Sequence, residues 1–361
     1  MPERVRRGQP KRPASRRFPI SDVLPKTSLQ SDDGTDREGH VQVSEIGINT
    51  DDMGSRRPLE ELERQLDLYR SAGARLVEID ITPFHLVVGG EIHRASLADF
   101  LAVTRSFDLS YTVHGVLRLN LAYDLRHELC VRIMRHQIEI CRGLRASVLV
   151  YHSGLQALDE LRHGLRSSPL DAQELADGAR REVEALMELA PQAADAGVVI
   201  AMENGDTHQW EHALLERFGL PRTSLSDHHA RTRIPPIVRQ LEAIDHPNVG
   251  LTVDVAHLHI AARDIGFDEL EAATQAAPWV RHVHVSDNFG HLDRGYATES
   301  DRWAFGEADM HMPPGWGDVP YRDLFARWPE YRGRVVMELT GPFFDFAVQG
   351  MQELRKLVAS T

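Results

Sequence analysis

Short apolar runs in this chain end on histidine or carboxylate residues, the side-chain types that hold divalent cations. Tyr-Thr-Val leads into His114, and Val-Leu-Val-Tyr leads into His152. Further runs deliver Glu203 (Ala-Met-Glu-Asn), Asp254 (Leu-Thr-Val-Asp), His284 (His-Val-His-Val) and Glu338 (Val-Val-Met-Glu). Each residue alone has an ordinary structural reading, since a buried histidine usually satisfies itself by hydrogen bonding and a buried glutamate pairs with arginine. Six such endings in succession are harder to explain separately. Burying these groups singly is costly, and convergence on shared cations removes that cost from all of them together. Three more donors follow. His257 lies three residues after Asp254, so a turn starting there aims both at one ion. Asp309 and His311 form an Asp-x-His, and alternate residues of an extended segment face the same way. Nine nitrogen and oxygen donors exceed a single tetrahedral zinc. The set predicts one to three divalent ions per chain, with two or three suiting all nine donors, and Zn²⁺, Mn²⁺ and Fe²⁺ all match a His/carboxylate mixture.

Other histidines are set aside. His282 is expected to point away from His284, toward a helix layer, and His259, His291, His228 and His229 read as loop or supporting residues. Glu78, near the second strand, either touches substrate or forms a structural ion pair.

The elements that must position these groups alternate along the chain. Strand candidates are Val41–Asn49, Leu76–Ile81, Ser110–His114, Ser147–His152, Val198–Glu203, Gly250–Asp254, His282–Ser286 and Arg334–Leu339. Amphipathic stretches separate them, beginning with Leu59, Leu62, Leu66 and Tyr69 at helical spacing before Gly73, and continuing near 96–106, 122–144, 171–195, 235–244, 266–276, 319–327 and 344–358. Eight alternations imply a parallel sheet with right-handed crossovers, which closes into a (β/α)8 barrel, the TIM barrel of the α/β class. An open doubly wound sheet is the competing arrangement, but no Gly-x-Gly-x-x-Gly follows the first strand. The connections at about 204–234 and 287–318 follow strands, so in a barrel both lie on the catalytic face.

Composition agrees with a single domain over residues 40–361. The 361 residues are 42% hydrophobic, enough for a real core. No apolar run nears the roughly 20 residues of a membrane helix, and the basic start lacks the apolar centre of a signal peptide. A cytoplasmic protein is therefore expected. The net charge of −13 gives no general attraction for nucleic acid. Residues 1–39, with Arg4, Arg6, Arg7, Lys11, Arg12, Arg16 and Arg17 among Pro, Ser and Gly, read as a disordered, solvated tail. Cys130 and Cys141 fall in one predicted helix, about 16 Å apart at 1.5 Å per residue, too far for a disulfide.

Met-Glu-Asn around Glu203, Asp254-Val-Ala-His257, His284-Val-Ser-Asp-Asn, Asp309-Met-His311 before Pro-Pro-Gly-Trp-Gly, and Met-Glu-Leu around Glu338 resemble, as an ordered set, the xylose isomerase-like barrel superfamily. The resemblance spans roughly residues 41–358. It implies a core set of Glu203, Asp254, His284 and Glu338 around one ion, as in the sugar isomerases and epimerases, with Glu203 and Glu338 as the catalytic pair. It also implies that positions matching His114, His152, His257, Asp309 and His311 complete a three-metal site, as in the type IV apurinic/apyrimidinic endonucleases. The aromatic wedge of those endonucleases has no counterpart in His114-Gly-Val-Leu-Arg-Leu-Asn120. A divalent-metal sugar, sugar-phosphate or polyol isomerase or epimerase with a small-molecule substrate is the first expectation, and a multinuclear phosphodiesterase the second. Nucleic acid is disfavoured as a partner, no membrane partner is expected, and the oligomeric state is open.

Overall fold

The computed structural model describes residues 43–51, 54, 56–295 and 299–359. The segment expected to be a tail, residues 1–39, lies outside the described residues. Among the described residues ten strands occur in chain order: β1 Glu45–Asn49, β2 Leu76–Asp80, β3 Val87–Val88, β4 Glu91–Ile92, β5 Ser110–His114, β6 Val148–His152, β7 Val199–Glu203, β8 Val249–Asp254, β9 Val280–Val285 and β10 Arg334–Met337. Eight of them close a barrel in the order β1-β10-β9-β8-β7-β6-β5-β2, each neighbouring pair parallel. The expected (β/α)8 barrel is therefore correct. The other two, β3 and β4, form an antiparallel hairpin whose turn, Gly89-Gly90, has φ of 62° and 85°. A tight hairpin turn of this kind wants residues that accept positive φ, which glycine does at no steric cost.

Helices cover the outside because their apolar stripes need the sheet. The helix Pro58–Ser71 buries Leu62, Leu66 and Tyr69 and starts with proline at its first position. The helix Ala172–Ala196 opens on an Asp171/Glu174 capping box and stops at Gly197 with φ of 70°. Along each strand one residue in two faces this helical layer: Val77, Ile79, Val113, Leu149, Leu251 and Val283 are all fully buried there. Burying each such side chain contributes about 1.5–3 kcal/mol. Cys130 and Cys141 do share one helix, His127–Leu144, and both are free thiols.

The inward face is different, because much of it is polar. At the lower end Arg334 Nε lies 2.8 Å from Glu45 Oε2, and Ser110 Oγ donates to Glu45 Oε1 at 2.7 Å. Val148, Val150 and Ala201 supply an apolar patch on one side. Above Glu45, Glu78 accepts from Thr112 Oγ1 at 2.8 Å and lies 2.9 Å from His282 Nε2. One expectation is thereby corrected. His282 does not face the helices: residues two apart on a strand share a face, so it lies inside the barrel with His284. Glu78 makes ion pairs with both histidines.

Differences elsewhere have local causes. A helix at Val255–Ile265 follows β8 directly, and His259, expected to be a loop or supporting residue, is on it, paired with Glu269 at 2.9 Å. The long connections are partly helical, with Gln209–Arg217 and Leu225–His228 in one and Glu299–Phe305 in the other. His229 is buried against Glu211 at 2.8 Å. Among the described residues no helix is long and apolar enough to cross a membrane.

Candidate metal centre

All nine donors named from the sequence are brought to one mouth of the barrel. Parallel register does much of the placing, since Cα partners side by side point the same way: His152 pairs with Glu203, and Asp254 with His284. Glu338 continues the ladder one residue past β10, its N–H donating to Val285 O at 3.0 Å. The side chains fall into three groups, in each of which one donor atom per residue lies within 4.8 Å of the others. The first is Glu203, Asp254, His284 and Glu338; the second is His114, His152 and Glu203; the third is His257, Asp309 and His311. Glu203 joins the first two. The His114 ring lies 5.0 Å from that of His152 and 6.0 Å from that of His284.

In the first group His284 Nδ1 lies 3.0 Å from both Glu203 Oε1 and Glu338 Oε2. Its other nitrogen, Nε2, is 2.8 Å from Glu78 Oε1, so both ring edges meet carboxylates. Asp254 accepts from the His257 N–H at 2.8 Å and so caps the helix Val255–Ile265 while presenting its second oxygen to the group. That cap sets His257. Its Nδ1 is 3.0 Å from Asn204 O and its Nε2 is 3.0 Å from Asp309 Oδ2. The Asn204 side chain donates to Asp254 O and accepts from Asp254 N, each at 2.9 Å, which ties the end of β7 to that of β8. Asp309 also contacts His311, but not through an extended segment: His311 has φ of 49°, a left-handed residue that folds the loop back.

The electrostatics are those of a cluster that lacks positive charge. Burial raises the Glu203 carboxyl, yet His152 and His284 outweigh it and hold the group well below the ordinary carboxylate range. Glu338 is also buried, and His284 and His311 bring it down to about 2. Asp254 moves oppositely, to about 7, because burial, Asp309, Glu338 and Glu203 overcome the pull of His257. Burial disfavours the charged form of His284 and of His257, but Glu78 and Glu338 raise the first well above normal, and Asp254 and Asp309 the second. His311, buried too, rises to about 10 through Asp309 and Glu338. His152 instead falls to about 4 under burial and the nearby Arg231 charge. The raised imidazoles of His257, His284 and His311 thus offset the carboxylate charge.

The residues fit divalent ions on a second count. Asp254 Oδ2 and Asp309 Oδ1 are buried with no hydrogen-bond partner, and Glu203 Oε2 and Glu338 Oε2 touch histidine nitrogens without hydrogen-bond alignment. A buried carboxylate oxygen left open this way is what a hard cation occupies. His114 Nδ1 faces the Gly115 carbonyl at 3.1 Å, and His257 Nδ1 that of Asn204, which orients the remaining nitrogens as donors.

Two residues beside the site escaped the sequence reading. Asn204 could have been flagged by its place beside Glu203. Arg231, whose charge acts on His152, sits in the long connection after β7 without any pattern that marks it. His228 and His291 take no part in the three groups.

Comparison with known proteins agrees with the barrel fold. Solved structures sharing the fold include a D-tagatose 3-epimerase-like protein, at 18% identity and a TM-score of 0.60, covering 87% of this chain and 97% of that one. A 3-keto-D-glucoside 4-epimerase from E. coli matches at 15% identity and a TM-score of 0.58 (87% and 100% covered), and an L-ribulose 3-epimerase at 16% and 0.55 (87% and 96%). No curated protein matches the sequence. The family model for the xylose isomerase-like TIM barrel matches residues 66–357. The chain belongs to the xylose isomerase-like TIM barrel family.

Proposed function

We propose that the protein is a divalent-metal-dependent isomerase or epimerase acting on a sugar, sugar phosphate or related polyol. The observation that carries this reading is the pair of glutamates about His284, each 3.0 Å from Nδ1, with Asp254 completing a four-donor group. A divalent ion held by Glu203, Asp254, His284 and Glu338 supplies Lewis acidity toward neighbouring carbonyl and hydroxyl oxygens. Glu203 comes from β7 and Glu338 from the end of β10, with β8 and β9 between them in the barrel order. They therefore reach the centre from different directions. Proton transfer next to a carbonyl needs one group to remove a proton and a group to return it, and two carboxylates can divide that work. Asn204 and the Asp254 cap keep the strand ends aligned while it happens. The names of the fold neighbours, epimerases of ketoses and of a keto-glucoside, support the substrate class.

The test is solvent exchange. Metal-loaded protein is incubated in D₂O with tagatose, psicose, ribulose and their phosphates, and carbon-bound deuterium is followed by NMR. Incorporation next to the carbonyl is expected with at least one of them. Its absence throughout rejects the reading.

One observation favours a second reading. Two further donor groups, His114/His152/Glu203 and His257/Asp309/His311, exceed what a single-ion isomerase uses, and a multinuclear phosphodiesterase would employ them to activate water and neutralise a leaving oxygen. Incubation with a duplex containing an abasic site at low salt tests the DNA version, which absence of incision removes.

A further inference from the structure

Arg231 occupies the short turn Ala230–Thr232 in the connection after β7 and is 5% exposed. Its carbonyl accepts from Gly205 N at 2.9 Å, and Gly205 lies two residues past Glu203. Its guanidinium packs on backbone that has no side chain to obstruct it. A Cβ on Gly205 would fall 2.4 Å from Arg231 Nε, and one on Gly154, two residues past His152, 3.3 Å from Arg231 Cβ. A full positive charge is thus seated against the ends of β6 and β7, beside the candidate ligands.

None of its partners carries negative charge. Nε donates to His229 Nε2 at 3.2 Å. The Gln156 side-chain oxygen, with its amide turned to suit, accepts from Nε at 2.9 Å and from Nη2 at 3.1 Å. Nη1 is buried and has no partner. Among the described residues no carboxylate oxygen lies within 4.0 Å of this guanidinium. The buried carboxylate that does feel its charge, Glu182, is engaged elsewhere: Tyr151 Oη and Gly154 N donate to Oε1 at 2.7 and 2.8 Å, and Gln240 Nε2 to Oε2 at 2.7 Å. A buried arginine without a counter-ion is among the costlier arrangements a fold can keep. Binding sites keep them where the ligand brings the opposite charge.

We propose that Arg231 anchors an anionic group of the substrate, a phosphate or a carboxylate, through Nη1 beside His152. The proposal rests on the mouth being the reaction site and narrows the substrate class, from sugars in general to sugar phosphates or sugar acids. A cation held by His114, His152 and Glu203 would add positive charge on the same side and strengthen the demand for an anion. Arginine suits the task because its fork keeps two donors on Gln156 and His229 while the third stays fixed in direction.

The experiment measures binding of inorganic phosphate, of gluconate and of the neutral ketose tagatose by titration calorimetry. It uses the full-length protein as purified, with its cations, in wild-type, Arg231→Met and Arg231→Lys forms. Wild type is expected to bind one of the two anions more tightly than tagatose, phosphate marking a sugar phosphate and gluconate a sugar acid. Arg231→Met should weaken that anion about 10- to 100-fold, the loss expected of one charge-assisted pair, and Arg231→Lys should fall between. Equal anion affinity in wild type and Arg231→Met overturns the anchor, as does wild type preferring tagatose to both anions. If Arg231→Met does not fold, judged by circular dichroism, the Arg231→Lys and wild-type comparisons decide. Anion binding needs no proton transfer, so failure here leaves the epimerase reading standing, and absence of deuterium exchange with intact anion binding rejects that reading alone.

Discussion

Replacing Glu78 by glutamine changes a residue that touches no proposed ion, yet it should weaken metal binding. Glu78 is 1% exposed, with Oε1 2.8 Å from His284 Nε2 and Oε2 2.9 Å from His282 Nε2. This carboxylate fixes which nitrogen of His284 carries its proton and leaves Nδ1 as the donor among Glu203, Asp254 and Glu338. It also makes the imidazole a better base. Glutamine keeps the shape but loses the charge, and its amide nitrogen turns a donor toward one of the two histidines. Loss of a carboxylate behind a ligating histidine costs about 10- to 100-fold in metal affinity, or about 1.4–2.8 kcal/mol. Competition against a chelating dye measures it, and the visible spectrum of the Co²⁺-loaded protein reports any change in coordination. Wild-type affinity with a lower melting temperature would refute the reasoning and leave Glu78 a structural ion pair. Unchanged affinity and stability would refute both.

Other outcomes follow from the same geometry. Glu203→Gln and Glu338→Gln should each reduce deuterium exchange by about 10²–10⁴-fold, the usual worth of a positioned acid or base, with the circular dichroism spectrum unchanged; near-normal exchange in both rejects their catalytic roles. Metal binding near pH 7.5 should release protons, because His257, His284 and His311 are all raised above their ordinary range in the metal-free cluster. Calorimetry in buffers of different ionisation enthalpy checks this, and buffer-independent heats contradict it. His311 is raised from 6.5 to about 10, so its contribution to metal-free stability is fully present below pH 6.5 and is lost as pH climbs through 10. The metal-free melting temperature should accordingly fall across that window, and a flat profile over it would contradict the charge assignment.

The barrel was legible because its strands end on polar residues at regular intervals, and that regularity survives without any knowledge of contacts. The mouth was legible for the same reason: a strand delivers its last inward residue to one end of the barrel, so Glu203, Asp254, His284 and Glu338 could be assembled on paper. Other features follow from geometry that a linear pattern does not carry. The helix Val255–Ile265 starts with no Gly or Pro break, since Asp254 ends the strand and caps the helix at once. His282 is the exception, since period-two alternation from His284 suffices to place it on the inner face, in the histidine-rich polar layer beneath the mouth. Asp309 and His311 do meet, but through a left-handed backbone at His311. Arg231 had no signal at all: its importance comes from Gly154 and Gly205, some 77 and 26 residues away in the chain, which leave room for it.

The direct test of a shared cation centre is a crystal structure of protein purified without chelator, with anomalous diffraction recorded above and below the zinc, iron and manganese edges. A peak bonded to His284 Nδ1 and to the carboxylates of Glu203, Asp254 and Glu338 at about 2.0–2.3 Å is expected, with further peaks at the two flanking donor groups if hydrolysis is the chemistry. An ordered mouth with no anomalous signal, its histidines still hydrogen-bonded to the carboxylates in protein soaked with Zn²⁺ and Mn²⁺, would contradict it.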